Sequence, residues 1–310
     1  MRDARQAVRR GVFSVASPRG IRGIAVEGAW VAAHLALYPL GMLRQGAAAE
    51  MHALGIGHLA PVQRGLVVGD VEAAGTPILL VHGMADNRSI FTLLRRGLRR
   101  RGFGRVLTLN YSPMTIDVRV AAERLAEQVE LLCADTGYER VHVVGHSMGG
   151  LVARYYVQRL GGDDRVHTLV TLGAPHTGTA SAYLVPYALG RQLTPGSDLI
   201  RELGEPAPGC RTRFLVFWSD LDQLIVPKHA ARLDHPDLVA RNVLVRGVGH
   251  MSLPITRTVV HQISTALAHL GHDGSTLTAG VTPLDAEGPG PSPLPGSGTV
   301  PSRRTRSVRL

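Results

Sequence analysis

The chain has 310 residues, of which 45% are hydrophobic, and it carries a formal net charge of +10. This length and hydrophobic content are sufficient for one α/β catalytic domain with tails. The positive charge would suit a nucleic-acid partner, but many of the arginines fall in residues 1–23 and 303–310, outside the periodic segments, and no zinc-finger or RNA-binding motif accompanies them. We therefore expect no nucleic-acid binding. The two cysteines, Cys133 and Cys210, leave open whether a disulfide forms.

A basic N-terminal segment, residues 1–60, contains the longest apolar stretch, residues 24–43 (IAVEGAWVAAHLALYPLGML). Its length could span a bilayer, but a carboxylate such as Glu27 is costly inside one, which favours a helix packed on the protein or associated with a membrane surface. The long charged region before it is not typical of a signal peptide. We expect a cytoplasmic or membrane-associated protein rather than a secreted one.

Short β-rich runs alternate with amphipathic helical runs through the catalytic domain, residues 61–271. This alternation predicts the α/β class, with a mostly parallel central sheet flanked by helices. Helical spacing of apolar residues predicts buried helix faces at Val118, Ala122, Leu125, Val129 and Leu132, and at Ile255, Val259, Ile263 and Leu267. The predicted strands are residues 77–81, 106–111, 141–144, 166–172, 213–218 and 242–246.

Two segments interrupt or follow this alternation. Residues 176–208 insert small apolar helices and turn residues after a strand, which predicts a lid-like cover. Residues 272–310 are rich in Gly, Pro and Ser and have few large apolar side chains, so we expect a disordered tail.

The stretch VVGHSMGG, residues 143–150, places Ser147 between glycines at the end of a predicted strand. The pattern Gly-x-Ser-x-Gly allows a sharp strand-to-helix turn that exposes the serine hydroxyl. The alternative is a serine that merely caps the helix. A nucleophilic Ser147 would need a base, an acid and oxyanion donors from elsewhere in the chain.

The base and the acid are expected on loops at the carboxyl ends of later strands. Among 14 histidines, His250 follows the last predicted strand in the sequence NVLVRGVGH, and Gly247 and Gly249 let that loop bend. Asp220 and Asp222 both follow the preceding predicted strand, so position alone leaves two candidates for the acid.

Two N–H groups are needed to stabilise an oxyanion. The residue after the nucleophile, Met148, supplies one, and Gly83 allows a tight turn that presents the Met84 N–H. The turn after residue 81 could equally be an ordinary helix start capped by Asp86 or Asn87.

Four blocks of sequence resemble the α/β-hydrolase superfamily, and within it the small bacterial class 2 lipases and esterases, which are triacylglycerol-lipase-like. These blocks are PILLVHGMADN, VVGHSMGG, LGAPHTGT, and FWSDLDQLIVP through VLVRGVGHMSL. The resemblance implies a nucleophile at Ser147, a base at His250 and oxyanion donors at Met84 and Met148. It assigns the acid to Asp222, three residues after a serine and followed by aliphatic residues.

The resemblance implies hydrolysis of carboxylic esters through an acyl-enzyme, without a cofactor or a metal, on a small acyl ester or lipid substrate. A lipase is favoured over a short-chain esterase because residues 176–208 could form an apolar cover. Acyltransferase, thioesterase and amidase activities use the same constellation and stay open. From another class, the chain could be a membrane-associated scaffold that does not use the hydrolase site.

Overall fold

The computed structural model describes residues 22–23, 25–32, 75–84, 86–109, 111, 117–185 and 188–268. The predicted tail, 272–310, and residues 33–43 of the apolar stretch lie outside these ranges.

Six parallel strands form one sheet within the described residues. Their spatial order is β2-β1-β3-β4-β5-β6, so the order reverses between β1 and β3, where parallel sheets commonly place a ligand site. The prediction of a mostly parallel sheet flanked by helices is confirmed. The strands are β1 (Ile78–Val81), β2 (Val106–Leu109), β3 (Val141–His146), β4 (Val166–Leu172), β5 (Arg213–Ser219) and β6 (Val239–Val245).

Helices cover both faces of the sheet. The described helices of the catalytic domain are α1 (Thr92–Arg99), α2 (Val118–Thr136), α3 (Met148–Arg159), α4 (Ala188–Gln192), α5 (Asp198–Gly204) and α6 (Arg257–Leu267). Alternate strand residues point to opposite faces, so Leu79 packs with α2 and α3 whereas Leu80 packs with α1 and α6. Each face therefore buries its own hydrophobic core.

The predicted helix faces are confirmed, with one shift at an end. All five apolar residues predicted for the first face are buried in α2, which runs from the N-cap Asp117 to the left-handed Gly137. In α6, Val259, Ile263 and Leu267 are buried. Ile255 lies before α6, in the short 3₁₀ helix Leu253–Ile255.

Five of the six predicted strands were wrong at one or both ends, by one to three residues, and the starts or ends of two of them show the cause. Strand β3 continues to His146, because His146 still pairs with Leu172 in β4 and the chain bends only at the next residue. Strand β6 begins at Val239, three residues earlier than predicted, because Val239 already pairs with Arg213 at the start of β5. Backbone pairing with a neighbour sets both ends, and this is not visible in side-chain patterns.

The N-terminal helix, residues 25–32, packs on the catalytic domain. Its Trp30 is 9% exposed and belongs to the core between the sheet, α1 and α6. In the part of the chain that the structure describes, no helix has the length and apolarity needed to cross a membrane.

The inserted segment, residues 176–208, contains the 3₁₀ helix Ala180–Leu184 and helices α4 and α5. Leu189, Leu199 and Leu203 are buried against the α2 and α3 side of the core. Tyr183 and Leu184 are instead 69% and 86% exposed. One part of the segment is thus anchored and another presents apolar side chains to solvent.

Candidate active site

Ser147 occupies a sharp turn between β3 and α3. Its backbone has φ 54° and ψ −127°, and it is the one non-glycine residue with positive φ in the described ranges. An L-residue is strained in this region, and such strain is retained where the surrounding structure enforces it. The Ser147 N–H donates to the Leu172 carbonyl at 2.9 Å, which ties the turn to β4. The serine side chain makes no cap hydrogen bond to α3, contrary to the helix-cap alternative.

Glycines make room for this turn. A Cβ atom on Gly145 would lie 2.6 Å from the Gly150 backbone, and one on Gly149 would overlap the carbonyl of Val81 in β1. One on Gly150 would lie 2.5 Å from the Ala174 side chain. The glycine pattern in the sequence therefore reflects close approach of backbone on both sides of Ser147.

Asp222 and His250 are brought together by the loops after β5 and β6. His250 Nδ1 donates to Asp222 Oδ2 at 2.7 Å, and the two residues are 2% and 1% exposed. The other carboxylate oxygen, Oδ1, accepts hydrogen bonds from the N–H groups of Leu224 and Ile225, both at 2.9 Å. The carboxylate is therefore oriented from both sides.

Opposing effects act on the ionisation of this pair. Burial acts to raise the pKa of Asp222, but the charge and hydrogen bond of His250 outweigh it and hold that pKa below its ordinary value. Burial acts to lower the pKa of His250, but the charge and hydrogen bond of Asp222, with the charges of Glu27 and Asp86, raise it above its ordinary value. His250 is thus a stronger base than a free histidine. Its Nε2 atom has no hydrogen-bond partner among the described residues.

Asp220, the competing acid candidate, has a different partner. Its Oδ1 accepts a hydrogen bond from the Gly247 N–H at 2.7 Å, and its carbonyl accepts one from Lys228 Nζ. Asp220 therefore holds the start of the loop that carries His250, while Asp222 contacts the imidazole itself.

Gly173, at the end of β4, lies directly against this pair. It has φ 59°, and a Cβ atom there would come within 3.0 Å of His250 Nδ1 and 3.1 Å of Asp222 Oδ2. Sequence reasoning missed this residue. A glycine directly after the predicted strand 166–172 was the available signal.

The loop after β1 brings Gly83 and Met84 to Ser147. A Cβ atom on Gly83 would lie 2.9 Å from Ser147 Cβ and 3.5 Å from its Oγ. No described residue accepts a hydrogen bond from the Met84 N–H. Met148 is the first residue of α3, where N–H groups have no acceptor within the helix. Asn87 does cap the following 3₁₀ helix, accepting from the Ser89 N–H at 2.9 Å, so the loop serves as a helix start as well.

Three other buried histidines lie near the strand ends. His82 stacks on Tyr111 with ring centroids 4.2 Å apart, and His176 hydrogen-bonds Thr171 Oγ1 through Nε2 at 3.0 Å. Burial lowers the pKa of both histidines. His146 Nε2 lies 3.2 Å from the His250 carbonyl oxygen, to which it can donate. These contacts indicate that the three rings stabilise the loops at the strand ends.

Glu27 is a second residue that sequence reasoning did not place at the site. Its carboxylate accepts hydrogen bonds from the two N–H groups that follow His250. A single carboxylate within an apolar stretch needs a polar partner, which was the signal for it.

The described residues contain no group of three or more His, Cys, Asp or Glu side chains that could hold a metal ion. Both cysteine thiols are free.

Comparison with known proteins places this geometry in a family context. The family model of palmitoyl protein thioesterase matches residues 77–223, a range that includes Ser147 and Asp222 and stops before His250. A triacylglycerol lipase of Vibrio cholerae is 34% identical over 114 residues, which are 35% of this chain and 35% of the lipase. One from Burkholderia plantarii is 30% identical over 128 residues, 38% of this chain and 35% of the lipase. The chain thus spans about a third of the length of these relatives.

Solved structures show the same fold at low sequence identity. Lipase B of Aspergillus fumigatus superposes with a TM-score of 0.57 at 18% identity, covering 76% of this chain and 61% of that one. The mature Bacillus licheniformis lipase BlEst2 superposes with a TM-score of 0.53 at 16% identity, covering 63% and 92%. By its parallel sheet and these superpositions the chain has the α/β-hydrolase fold, and part of its sequence is similar to triacylglycerol lipases.

Proposed function

We propose that the protein hydrolyses carboxylic esters of lipids, with Ser147 as nucleophile, His250 as general base and Asp222 as the acid that orients it. The observation that carries this proposal is the buried 2.7 Å hydrogen bond between His250 and Asp222. It lies at the edge of the sheet where β3 delivers the strained Ser147. A buried base with a raised pKa and a half-buried serine held on a sharp turn are groups that serine hydrolysis needs.

Acylation begins when Ser147 Oγ attacks the ester carbonyl carbon while His250 Nε2 accepts the hydroxyl proton. Asp222 keeps the His250 proton on Nδ1, so Nε2 carries the free lone pair, and it stabilises the imidazolium that forms. The tetrahedral intermediate collapses as His250 returns the proton to the departing alkoxide. The alcohol leaves and the acyl group is esterified to Ser147.

The negative charge on the carbonyl oxygen is stabilised by the N–H groups of Met84 and Met148. Gly83 supports this role, because its lack of a Cβ atom lets the loop after β1 lie against Ser147. Preorganised N–H donors of this kind contribute about 3–4 kcal/mol each to transition-state stabilisation in acyl transfer.

Deacylation reverses these roles. His250 removes a proton from a water molecule, whose oxygen attacks the acyl carbon, and the same two N–H groups stabilise the second tetrahedral intermediate. Collapse releases the carboxylic acid and returns the proton to Ser147. No step needs a metal ion or a cofactor.

A lipid substrate is favoured by an exposed apolar patch on two loops that follow β4 and β5. The patch consists of Tyr183, Leu184, Leu224 and Val226, which are 69%, 86%, 50% and 44% exposed. The loops are tied together, since the Ala180 N–H donates to the Val226 carbonyl at 2.7 Å and the Val226 N–H to Thr179 Oγ1 at 2.8 Å. Contiguous exposed apolar side chains mark ligand or membrane contact sites. Tyr183 and Leu184 would be the lid-like part of residues 176–208, and the whole patch would face an acyl chain or a lipid surface.

A thioesterase is the second candidate, because the matching family model is that of palmitoyl protein thioesterase. The same residues would serve, with a thiolate leaving in place of an alkoxide. A thiolate needs little protonation as it leaves, so the two reactions differ in their demand on His250 as an acid.

The test is a panel of p-nitrophenyl esters from acetate to palmitate, with palmitoyl-coenzyme A as the thioester. We expect turnover of esters, an increase in kcat/KM with chain length, and loss of turnover in Ser147→Ala. Ser264→Ala is the matched control, because Ser264 is a buried serine on α6.

Higher kcat/KM on the thioester would favour the thioesterase. Turnover that survives in Ser147→Ala would refute the nucleophile. Absence of turnover together with absence of labelling by a fluorophosphonate would support the scaffold alternative.

A further inference from the structure

We propose that Glu27, on the N-terminal helix of residues 25–32, is a positioning residue of the active site. The inference rests on the proposed function. Glu27 is not expected to touch substrate, and it acts through the backbone of the loop that carries His250.

The carboxylate of Glu27 binds the two residues that directly follow His250. Its Oε1 accepts a hydrogen bond from the Met251 N–H at 2.6 Å, and its Oε2 accepts one from the Ser252 N–H at 2.9 Å. A carboxylate that accepts two N–H bonds at once fixes both position and orientation, since charge-assisted hydrogen bonds are short and strong.

The chain on both sides is shaped for this contact. A Cβ atom on Gly249 would overlap the Glu27 carboxyl carbon and would lie 2.5 Å from Oε2. A Cβ atom on Gly23 would lie 2.9 Å from the Leu221 side chain and would overlap the Gly247 carbonyl oxygen. Glycine on the loop and on the N-terminal segment therefore permits their close approach at two points.

Other contacts hold the same loop from within the domain. Asp220 binds the Gly247 N–H, and Ser219 Oγ donates to the Val248 carbonyl. These bonds fix the loop before His250, whereas the Glu27 bonds fix it after His250. The imidazole is thus carried between two anchored points, and removing one of them frees the ring to move. A small displacement of a catalytic group is costly, because a shift of about 1 Å can lower a rate about a hundredfold.

Glu27 also contributes charge. The groups that face the His250 imidazole are Asp222, which is hydrogen-bonded to it, the ring of His146 at a centroid distance of 4.9 Å, and the more distant carboxylates of Glu27 and Asp86. The negative charge of Glu27 is one of the causes that raise the pKa of His250. Loss of that charge should lower this pKa.

The test compares Glu27→Gln with two controls in the full chain. Glutamine keeps the size of the side chain but removes the charge and replaces one acceptor oxygen with an NH₂ donor. We expect kcat to fall about ten- to a hundredfold with KM little changed, and the acid limb of the kcat/KM profile to move to lower pH. Gly249→Ala, which would displace the carboxylate, should reproduce the fall in kcat.

The first control is Trp30→Phe, which loosens the packing of the same helix without touching the carboxylate. It should lower Tm but leave kcat and the pH profile of the folded protein unchanged. The second is Glu123→Gln, which removes one exposed negative charge from α2 and should change neither kcat nor the pH profile.

If the unaltered protein is active and Glu27→Gln has the same kcat and the same acid limb, the positioning role is overturned. The proposed function would not be affected by that result. A lower Tm in Glu27→Gln with unchanged kcat would also overturn it, because the contact would then be purely structural. If the unaltered protein shows no Ser147-dependent turnover, the proposed function fails and this inference fails with it.

Discussion

Asp222→Asn tests the assignment of the acid most directly. In the structure, Asp222 Oδ1 accepts two N–H bonds at 2.9 Å while Oδ2 accepts the bond from His250 Nδ1 at 2.7 Å. An asparagine that keeps its oxygen on the two N–H groups must turn its NH₂ toward His250. Nδ1 then becomes an acceptor, the proton moves to Nε2, and His250 can no longer take a proton from Ser147.

The opposite orientation of the asparagine would preserve the active tautomer, but it leaves the buried Ile225 N–H and the partly buried Leu224 N–H facing an NH₂ group. Each unsatisfied buried donor costs about 1–3 kcal/mol, so this orientation is disfavoured by about 2–6 kcal/mol. That range corresponds to about a thirtyfold to a twenty-five-thousandfold depletion of the active form. The neutral asparagine also cannot stabilise the imidazolium, so we expect kcat to fall by about three to four orders of magnitude.

The assay is kcat on p-nitrophenyl butyrate at a pH where His250 is neutral, with Asp220→Asn as the matched control. Asparagine at position 220 keeps an oxygen for the Gly247 N–H, so its kcat should stay within about threefold of the unaltered protein. A fall of less than about tenfold in Asp222→Asn, or a larger fall in Asp220→Asn, would refute the assignment of Asp222.

Three further predictions follow from the described contacts. Activity should be lost as pH falls through the raised pKa of His250, because only neutral imidazole accepts a proton. The midpoint of the acid limb of a kcat/KM profile should therefore lie above the pKa of a free histidine. A midpoint below that pKa would contradict the pairing of His250 with Asp222. Gly83→Ala should lower kcat at least about tenfold with little change in Tm. The added Cβ atom would lie 2.9 Å from Ser147 Cβ and would displace the Met84 N–H. An unchanged kcat would argue against the Met84 N–H as an oxyanion donor. Deletion of residues 1–57 should lower Tm and cause aggregation, seen by size-exclusion chromatography, because it uncovers the core that Trp30 packs on. A soluble truncated protein of unchanged Tm and activity would show that the N-terminal helix contributes to neither stability nor activity.

The sequence alone was sufficient for the sheet, because its strands are short apolar runs separated by amphipathic helices whose buried faces repeat at helical spacing. It also located Ser147, since glycines at fixed distances from a serine reflect a steric requirement of one sharp turn. Candidate residues for the acid and the base followed from their position after strands, because the carboxyl ends of parallel strands meet at one edge of the sheet.

The position of Asp220 and Asp222 after a strand left both as candidates and only the resemblance favoured Asp222, whereas the tertiary structure gives the physical difference between them. Both follow β5, and the difference lies in which one reaches the imidazole of His250 and which one reaches a backbone N–H. The two residues are two positions apart on the same loop, but their side chains point in different directions. Those directions depend on how the loop folds.

The contacts of Glu27 were also decided by tertiary structure. In the sequence it is a charge that interrupts an apolar stretch, about 220 residues away from its partners. In the fold its carboxylate meets the N–H groups of Met251 and Ser252, which are left without helical partners beside His250. Local patterns report the periodicity and sterics of neighbouring residues, whereas a hydrogen bond between distant segments depends on how the whole chain packs.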